Sequence, residues 1–192
     1  MSPDFPKTLS LIDAAHAEDP TKISPPTTGS ADPDPIPYEL HYARKMTSYL
    51  HLHTPAPSPL LSLAVRAQHL RRWEIPRSTY PDGKAGYFAW RTYLKKRQSD
   101  LAREICLEAG YPIEDADRVA GLINKEGLKR GEGQGDEEVQ ILEDVACLVF
   151  LDDQFEEFER GHDEEKIVGI LRKTWGKMGG RGRELVEKAV AG

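Results

Sequence analysis

Apolar residues recur along this chain at three- and four-residue spacing, and no stretch alternates strictly enough to predict a strand. Leu9, Leu11, Ile12 and Ala15 predict a short first helix ending at Asp19-Pro20. Residues 21–37 are rich in Pro, Ser, Thr, Gly and Asp and predict a loop, mobile around Gly29-Ser30. The loop reads as an insertion within a domain, because the segment before it is too small to fold alone. Pro37 opens a second helix through Leu40, Ala43, Met46, Tyr49 and Leu50, and Ser58-Pro59 supplies the cap and first turn of a third. Residues 87–109 predict a long helix closed by Gly110, and helices over 112–125 and 139–151 follow. Leu171, Trp175, Leu185 and Val190, with Gly179-Gly180 between them, predict two closing helices. The expected fold is all-α, a single-domain orthogonal helical bundle over residues 1–192.

Residues 61–77 (LSLAVRAQHLRRWEIPR) read as one helix running to Pro76. At about 100° per residue, Ser62, Arg66, His69 and Trp73 fall on one stripe. That stripe borders the apolar face of Leu60, Leu63, Ala64, Ala67 and Leu70. Arg71 falls inside the apolar arc, which demands either an unwound helix or a buried partner. The following loop, residues 74–86, holds two prolines and a Pro-Asp-Gly turn and is long for a helical domain. It carries Arg77, Tyr80 and Lys84 and leads into Tyr87, Trp90 and Arg91. Basic groups interleaved with aromatics suit a nucleotide or another flat phosphorylated ligand. The competing account is core aromatics with solvated cations.

Residues 139–151 (VQILEDVACLVFL) are apolar nearly all round and predict the central helix, yet Glu143 and Asp144 lie within it. An ionised carboxylate there needs a partner or a metal. The cluster of Arg66, His69 and Arg72 is the nearest supply by residue type. His69 and Asp144 are therefore expected to converge, with Glu143 beside them. A plain buried salt bridge is the competing account.

Composition narrows the field. A net charge of −6 gives the surface no general attraction for nucleic acid, so extensive duplex binding is not expected and anion binding must be local. Cys106 and Cys147 lie in apolar helical patterns and read as buried thiols of a reducing compartment. No basic-then-apolar leader and no apolar run of membrane-spanning length is present, so a cytoplasmic location is expected, with the nucleus open. His51 and His53 precede a Pro-rich run without a carboxylate cluster and suit a helix C-terminus better than a metal. His162-Asp163 sits at a helix start, and no aspartate follows it. The glycines of residues 131–135 match no phosphate-loop pattern.

Residues 38–46 (YELHYARKM), 66–77, 80–91 (YPDGKAGYFAWR) and 140–151 resemble the domain-of-unknown-function family numbered 4202. The resemblance covers most of residues 13–158. Fungal members often carry a glutamyl-tRNA synthetase label. This chain is too short for that enzyme and lacks its His-x-Gly-His and Lys-Met-Ser-Lys-Ser type motifs. The order of a helix-borne His, a middle helix and a later Glu-Asp is also similar to the His-Asp superfamily of phosphohydrolases. By that analogy His69 and Asp144 are metal ligands. The middle helix departs from it, carrying Gln98-Ser99 where a His-Ala pair is expected, and no Asp follows His69 directly.

Three functions follow as expectations. In the first, a divalent metal (Mn, Mg, Fe or Zn) on His69 and Asp144, with Glu143, activates water to hydrolyse a nucleotide or similar phosphorylated small molecule. Arg66, Arg72, Arg77, Lys84 and Arg91 bind its phosphates, and Trp73, Tyr80, Tyr87 or Trp90 packs on its base. In the second, the same cluster binds a phosphorylated ligand or an RNA end without turnover. In the third, the cluster is a buried network and function lies with a protein partner.

Overall fold

The computed structural model of the protein describes residues 3–24, 34–128 and 135–191. Helix α1 (Phe5–Ala17) starts at Asp4, whose carboxylate accepts the Lys7 N–H at 2.9 Å. A minimal antiparallel pair follows, β1 (Lys22–Ile23) with β2 (Ile36–Pro37), Lys22 lying opposite Pro37. This pair was not expected from the residue pattern, because two residues per strand carry no periodicity. The expected mobile centre at Gly29-Ser30 lies outside the described residues.

Helix α2 (Tyr38–His53) begins directly after β2, and helix α3 (Pro59–Arg66) starts where Ser58 accepts the Leu61 N–H at 3.1 Å. Helix α4 (Gly83–Glu108) begins four residues before the expected start at Tyr87, and α5 (Ile113–Ile123) follows the Gly110 turn. Helix α6 (Glu137–Val149) runs into a π-helical turn, Phe150–Gln154, and then into α7 (Phe155–Arg160). Helices α8 (Glu164–Lys177) and α9 (Gly180–Ala191) close the chain as the expected pair. The architecture is all-α, with nine α-helices among the described residues.

The core explains why α6 is apolar nearly all round. Val139, Leu142, Val145 and Val149 join the main core built with α2, α3 and α5. Cys147 and Leu148, on another face, pack with Met178 and Leu185 of the C-terminal pair. Helix α6 is therefore sandwiched between two apolar clusters.

The expected single helix over residues 61–77 does not form. Helix α3 stops at Arg66, and Ala67 to Arg71 form tight turns. His69 (φ 64°) and Arg71 (φ 51°) are both left-handed, a conformation that costs non-glycine residues free energy. The reason is competition for one carbonyl. Buried His16 of α1 donates its Nε2–H to the Arg66 carbonyl at 2.9 Å, the group a continued helix would offer to Leu70. The Leu70 N–H turns to Ala67 instead, at 3.2 Å. Arg71 thereby leaves the apolar arc and pairs with Glu18 at 2.7 Å and Glu74 at 2.6 Å. Of the two alternatives for Arg71, the unwound helix is the one observed.

Candidate functional site

The turn from 66 to 73 is clamped at both ends by α1 and α2. His16 holds the Arg66 carbonyl, and the buried Glu39 carboxylate accepts the Trp73 backbone N–H at 2.9 Å. Glu39 also faces His16 Nδ1 at 3.4 Å. Between these clamps the turn presents His69 and Arg72.

His69 stacks flat on Tyr42 of α2, ring centroids 4.2 Å apart and planes 11° apart. Its Nε2 lies 3.1 Å from the Arg72 guanidinium, which can only donate, so Nε2 accepts and the ring proton sits on Nδ1. Burial, followed by the charges of Arg72 and Arg91, pushes the imidazole pKa well below its ordinary value. The ring is neutral at pH 7.

Arg72 lies over the indole face of Trp90, 4.6 Å from the centroid. The Trp90 Nε1–H is occupied by the Ile75 carbonyl at 2.9 Å, which fixes the ring beneath the guanidinium. No carboxylate lies within 4.0 Å of Arg72 or Arg91 among the described residues. Burial, with the repulsion of Arg91 added, lowers the Arg72 pKa below its ordinary value. The comparable arginines of the fold are paired: Arg66 with Asp13, Arg97 with Glu74, and Arg118 with Asp136 and Glu138. Arg91 leans over Tyr87, 5.9 Å from its centroid, and bonds the phenol at 3.3 Å. The result is two like charges beside a neutral imidazole, flanked by aromatic faces.

The other wall of the site is the polar face of α2. Tyr38, His41, Tyr42 and Lys45 recur at helical spacing, and three of them converge on Asp153 of the π-helical turn. Asp153 accepts from the Tyr38 hydroxyl at 2.9 Å and lies 3.1 Å from His41 Nε2 and 3.2 Å from Lys45 Nζ. Gln154 donates to the same Tyr38 hydroxyl at 2.9 Å. Burial raises both phenols above their ordinary range; Arg72 opposes the rise and Asp153 adds to it at each. The two tyrosines thus lie between a positive pole at Arg72 and Arg91 and a negative one at Asp153.

A family model described as a domain of unknown function (DUF4202) matches the chain over residues 6–191. The chain belongs to this family. No curated protein and no solved structure matches it.

Not every residue expected at the site of this DUF4202 chain is brought there. His69, Arg72, Trp90, Arg91 and Tyr87 come together. Arg66 is taken up by Asp13, at 2.6 and 2.8 Å, and by Thr47 at 3.0 Å. Arg77 folds back on its own loop, donating to the Tyr80 and Pro81 carbonyls at 2.9 and 2.8 Å. Tyr80 packs against Tyr93, Lys84 lies over exposed Phe88, and Trp73 keeps its Nε1 buried without a partner among the described residues.

Asp144 and Glu143 are engaged elsewhere. One Asp144 oxygen accepts from Gln140 and the Gly179 N–H, both at 2.8 Å. The other lies 3.0 Å from His53 Nε2 and accepts the Gly182 N–H at 3.2 Å. Glu143 pairs with Lys125, with Lys177 at 3.7 Å; burial pushes its carboxyl up, but the two lysines more than reverse that and hold it below the usual range. With the Asp144 oxygens filled by four donors and His69 Nε2 filled by Arg72, these residues do not fit a shared metal. No group of three or more His, Cys, Asp or Glu side chains placed to hold a metal occurs among the described residues.

The residue pattern overlooked Asp153, Tyr38, His41, Tyr42 and Lys45, although the spacing on α2 was available. It also set His53 aside, and His53 is the imidazole that meets Asp144. No helix is long and apolar enough to cross a membrane among the described residues.

Proposed function

We propose that the chain binds a phosphorylated small molecule at Arg72 and Arg91 without turning it over. One observation carries this reading: Arg72 is desolvated against Trp90 beside a second arginine, with no carboxylate within 4.0 Å of either among the described residues. Such an arrangement disfavours the empty protein and favours an anion with oxygens on several sides, for which two planar guanidiniums suit phosphate geometry. The neutral His69 leaves its Nδ1–H as a further donor, and Tyr87 and Trp90 offer ring faces to a base. The metal-dependent phosphohydrolase reading needs His69 and Asp144 on one ion, and the hydrogen bonds each already makes weigh against it.

Thermal melting with inorganic pyrophosphate and with ATP, in EDTA and with Mn, Mg or Zn ions, tests the proposal. At ligand well above Kd, stabilisation of roughly 5–10 °C is expected in EDTA and lost in Arg72→Met. Absence of stabilisation by either probe sinks it. Phosphate release that requires a divalent ion returns the hydrolase reading.

A further inference from the structure

We propose that α4 carries a track for single-stranded nucleic acid leading into the Arg72–Arg91 site, so that the phosphorylated ligand is the end of a strand. This rests on the phosphate-binding reading above and extends it from the pocket to the surface beside it.

The track is a stripe. Lys84, Tyr87, Phe88, Arg91 and Lys95 stand at i, i+3, i+4, i+7 and i+11 of one continuous helix, and all five are exposed. Trp90 and Leu94, on the flank of the stripe beside Tyr87 and Arg91, are buried. Phe88 is 54% exposed and Tyr87 41%, an unusual placement for two neighbouring rings. The rings meet edge to face, with centroids 5.8 Å apart, so their faces are turned to different directions along the stripe. Each ring lies beside a cation, Lys84 at 5.9 Å from Phe88 and Arg91 at 5.9 Å from Tyr87.

Charge selects the partner. Residues 83–99 contain five Lys and Arg and no Asp or Glu, in a chain whose net charge is −6. Lys96 and Arg97, off the stripe, are paired with Asp100 and Glu74. Lys84, Arg91 and Lys95, on it, have no carboxylate within 4.0 Å among the described residues. The ligand is therefore a polyanion, and one that gains from ring faces. Bases stack on such rings while phosphates meet the cations between them; an acidic peptide uses the cations alone. The stripe is about 16 Å long at 1.5 Å per residue, which suits a short length of strand. Arg91 belongs to both the stripe and the anion site, so a strand laid on α4 ends at Arg72. The acidic remainder of the surface repels the second strand of a duplex.

Fluorescence anisotropy with uridine and thymidine hexamers, each with a 5′ phosphate, a 3′ phosphate or neither, tests this. One phosphorylated form is expected to bind about tenfold tighter than the unphosphorylated one. Phe88→Ala combined with Lys95→Glu, both exposed, is expected to weaken hexamer binding about tenfold or more. The same variant keeps its pyrophosphate stabilisation and its melting temperature. Hexamers that bind no more tightly than pyrophosphate, or indifferently to the terminal phosphate, overturn the inference. So does a double variant that binds like the parent, or polyglutamate that competes as well as unlabelled hexamer. If pyrophosphate stabilisation survives in those cases, the small-molecule reading stands and only the strand is lost. If it is absent from the parent protein, both fail.

Discussion

Arg72 gives up water on folding and receives in exchange a neutral imidazole and a ring face. A guanidinium in that position opposes folding, and Arg91 makes it worse. Replacing it with methionine keeps volume and apolar contact with Trp90 and removes the charge. Arg72→Met is expected to melt no lower than the parent, and about 1 kcal/mol higher in urea titration, while losing its response to pyrophosphate. A variant that is markedly destabilised shows instead that Arg72 has a structural partner. His69 contributes a pH dependence. Its pKa in the folded chain is depressed, first by burial and then by the arginines, so below the ordinary value of 6.5 the unfolded chain takes up a proton that the folded chain refuses. Stability from this group is complete above that pH and declines as pH falls through it. Urea midpoints measured between about pH 5 and pH 7 are expected to show a shallower acid slope in His69→Gln than in the parent. Equal slopes mean that His69 is protonated in the fold. These residues were legible in the sequence because cations interleaved with aromatics are rare on a core-bordering segment. The partner of His69 was not legible. Residue type alone pointed to Asp144, whereas the ring lies on Tyr42, and no spacing along one element encodes a stack between two.

At the scale of elements, the turn from 66 to 73 shows where local pattern loses to tertiary contact. Its sequence has the periodicity of a helix, yet the deciding hydrogen bond comes from His16, fifty residues earlier. Glu39, on a third element, fixes the far end through the Trp73 N–H. Two left-handed residues persist between these clamps. Removing one clamp should release them. Glu39→Ala leaves the Trp73 N–H without an acceptor and is expected to cost about 1–3 kcal/mol. Because Arg72 sits one residue from that N–H, pyrophosphate affinity should fall in the same variant, whereas Glu39→Gln, which keeps an acceptor oxygen, should recover most of it. A loss of stability with unchanged affinity would show that the clamp does not position the site. The start of α4 makes the same point with a glycine. A Cβ on Gly86 would overlap the Pro81 carbonyl, so the Pro-Asp-Gly turn and the first turn of α4 approach one another only because residue 86 has no side chain. The loop itself was readable from its prolines. That close approach lies in the first turn of α4, which starts four residues earlier than the pattern gave.

At the scale of the whole molecule, Asp144 links the central helix to the end of the chain. Helix α9 begins after Gly179, a residue with no side chain to cap it, and its first N–H groups need an acceptor. Asp144 supplies one from across the interface, taking the N–H groups of Gly179 and Gly182 as a capping side chain would. The fit leaves no room at residue 182, where a Cβ would stand 2.7 Å from the Asp144 carboxylate. His53 of α2 meets the same carboxylate, so three elements share one hub. The apolar cluster behind this hub is small, formed by Cys147, Leu148, Met178 and Leu185. Asp144→Ala therefore removes a large part of what holds α8 and α9. Four donors lose this acceptor, and the expected cost is about 3 kcal/mol or more. Hydrogen exchange should locate that loss, with protection falling across residues 164–191 and persisting in α1 to α5, whose core is the larger one. Pyrophosphate stabilisation should persist as well, since Arg72, His69 and Arg91 draw nothing from Asp144. The opposite pattern, a tail that stays protected and an anion site that fails, would place the carboxylate with His69 after all. The carboxylate in α6 was readable as a buried charge in need of partners. Two of those partners are glycine N–H groups, which leave no mark in the sequence beyond Gly179 and Gly182 themselves.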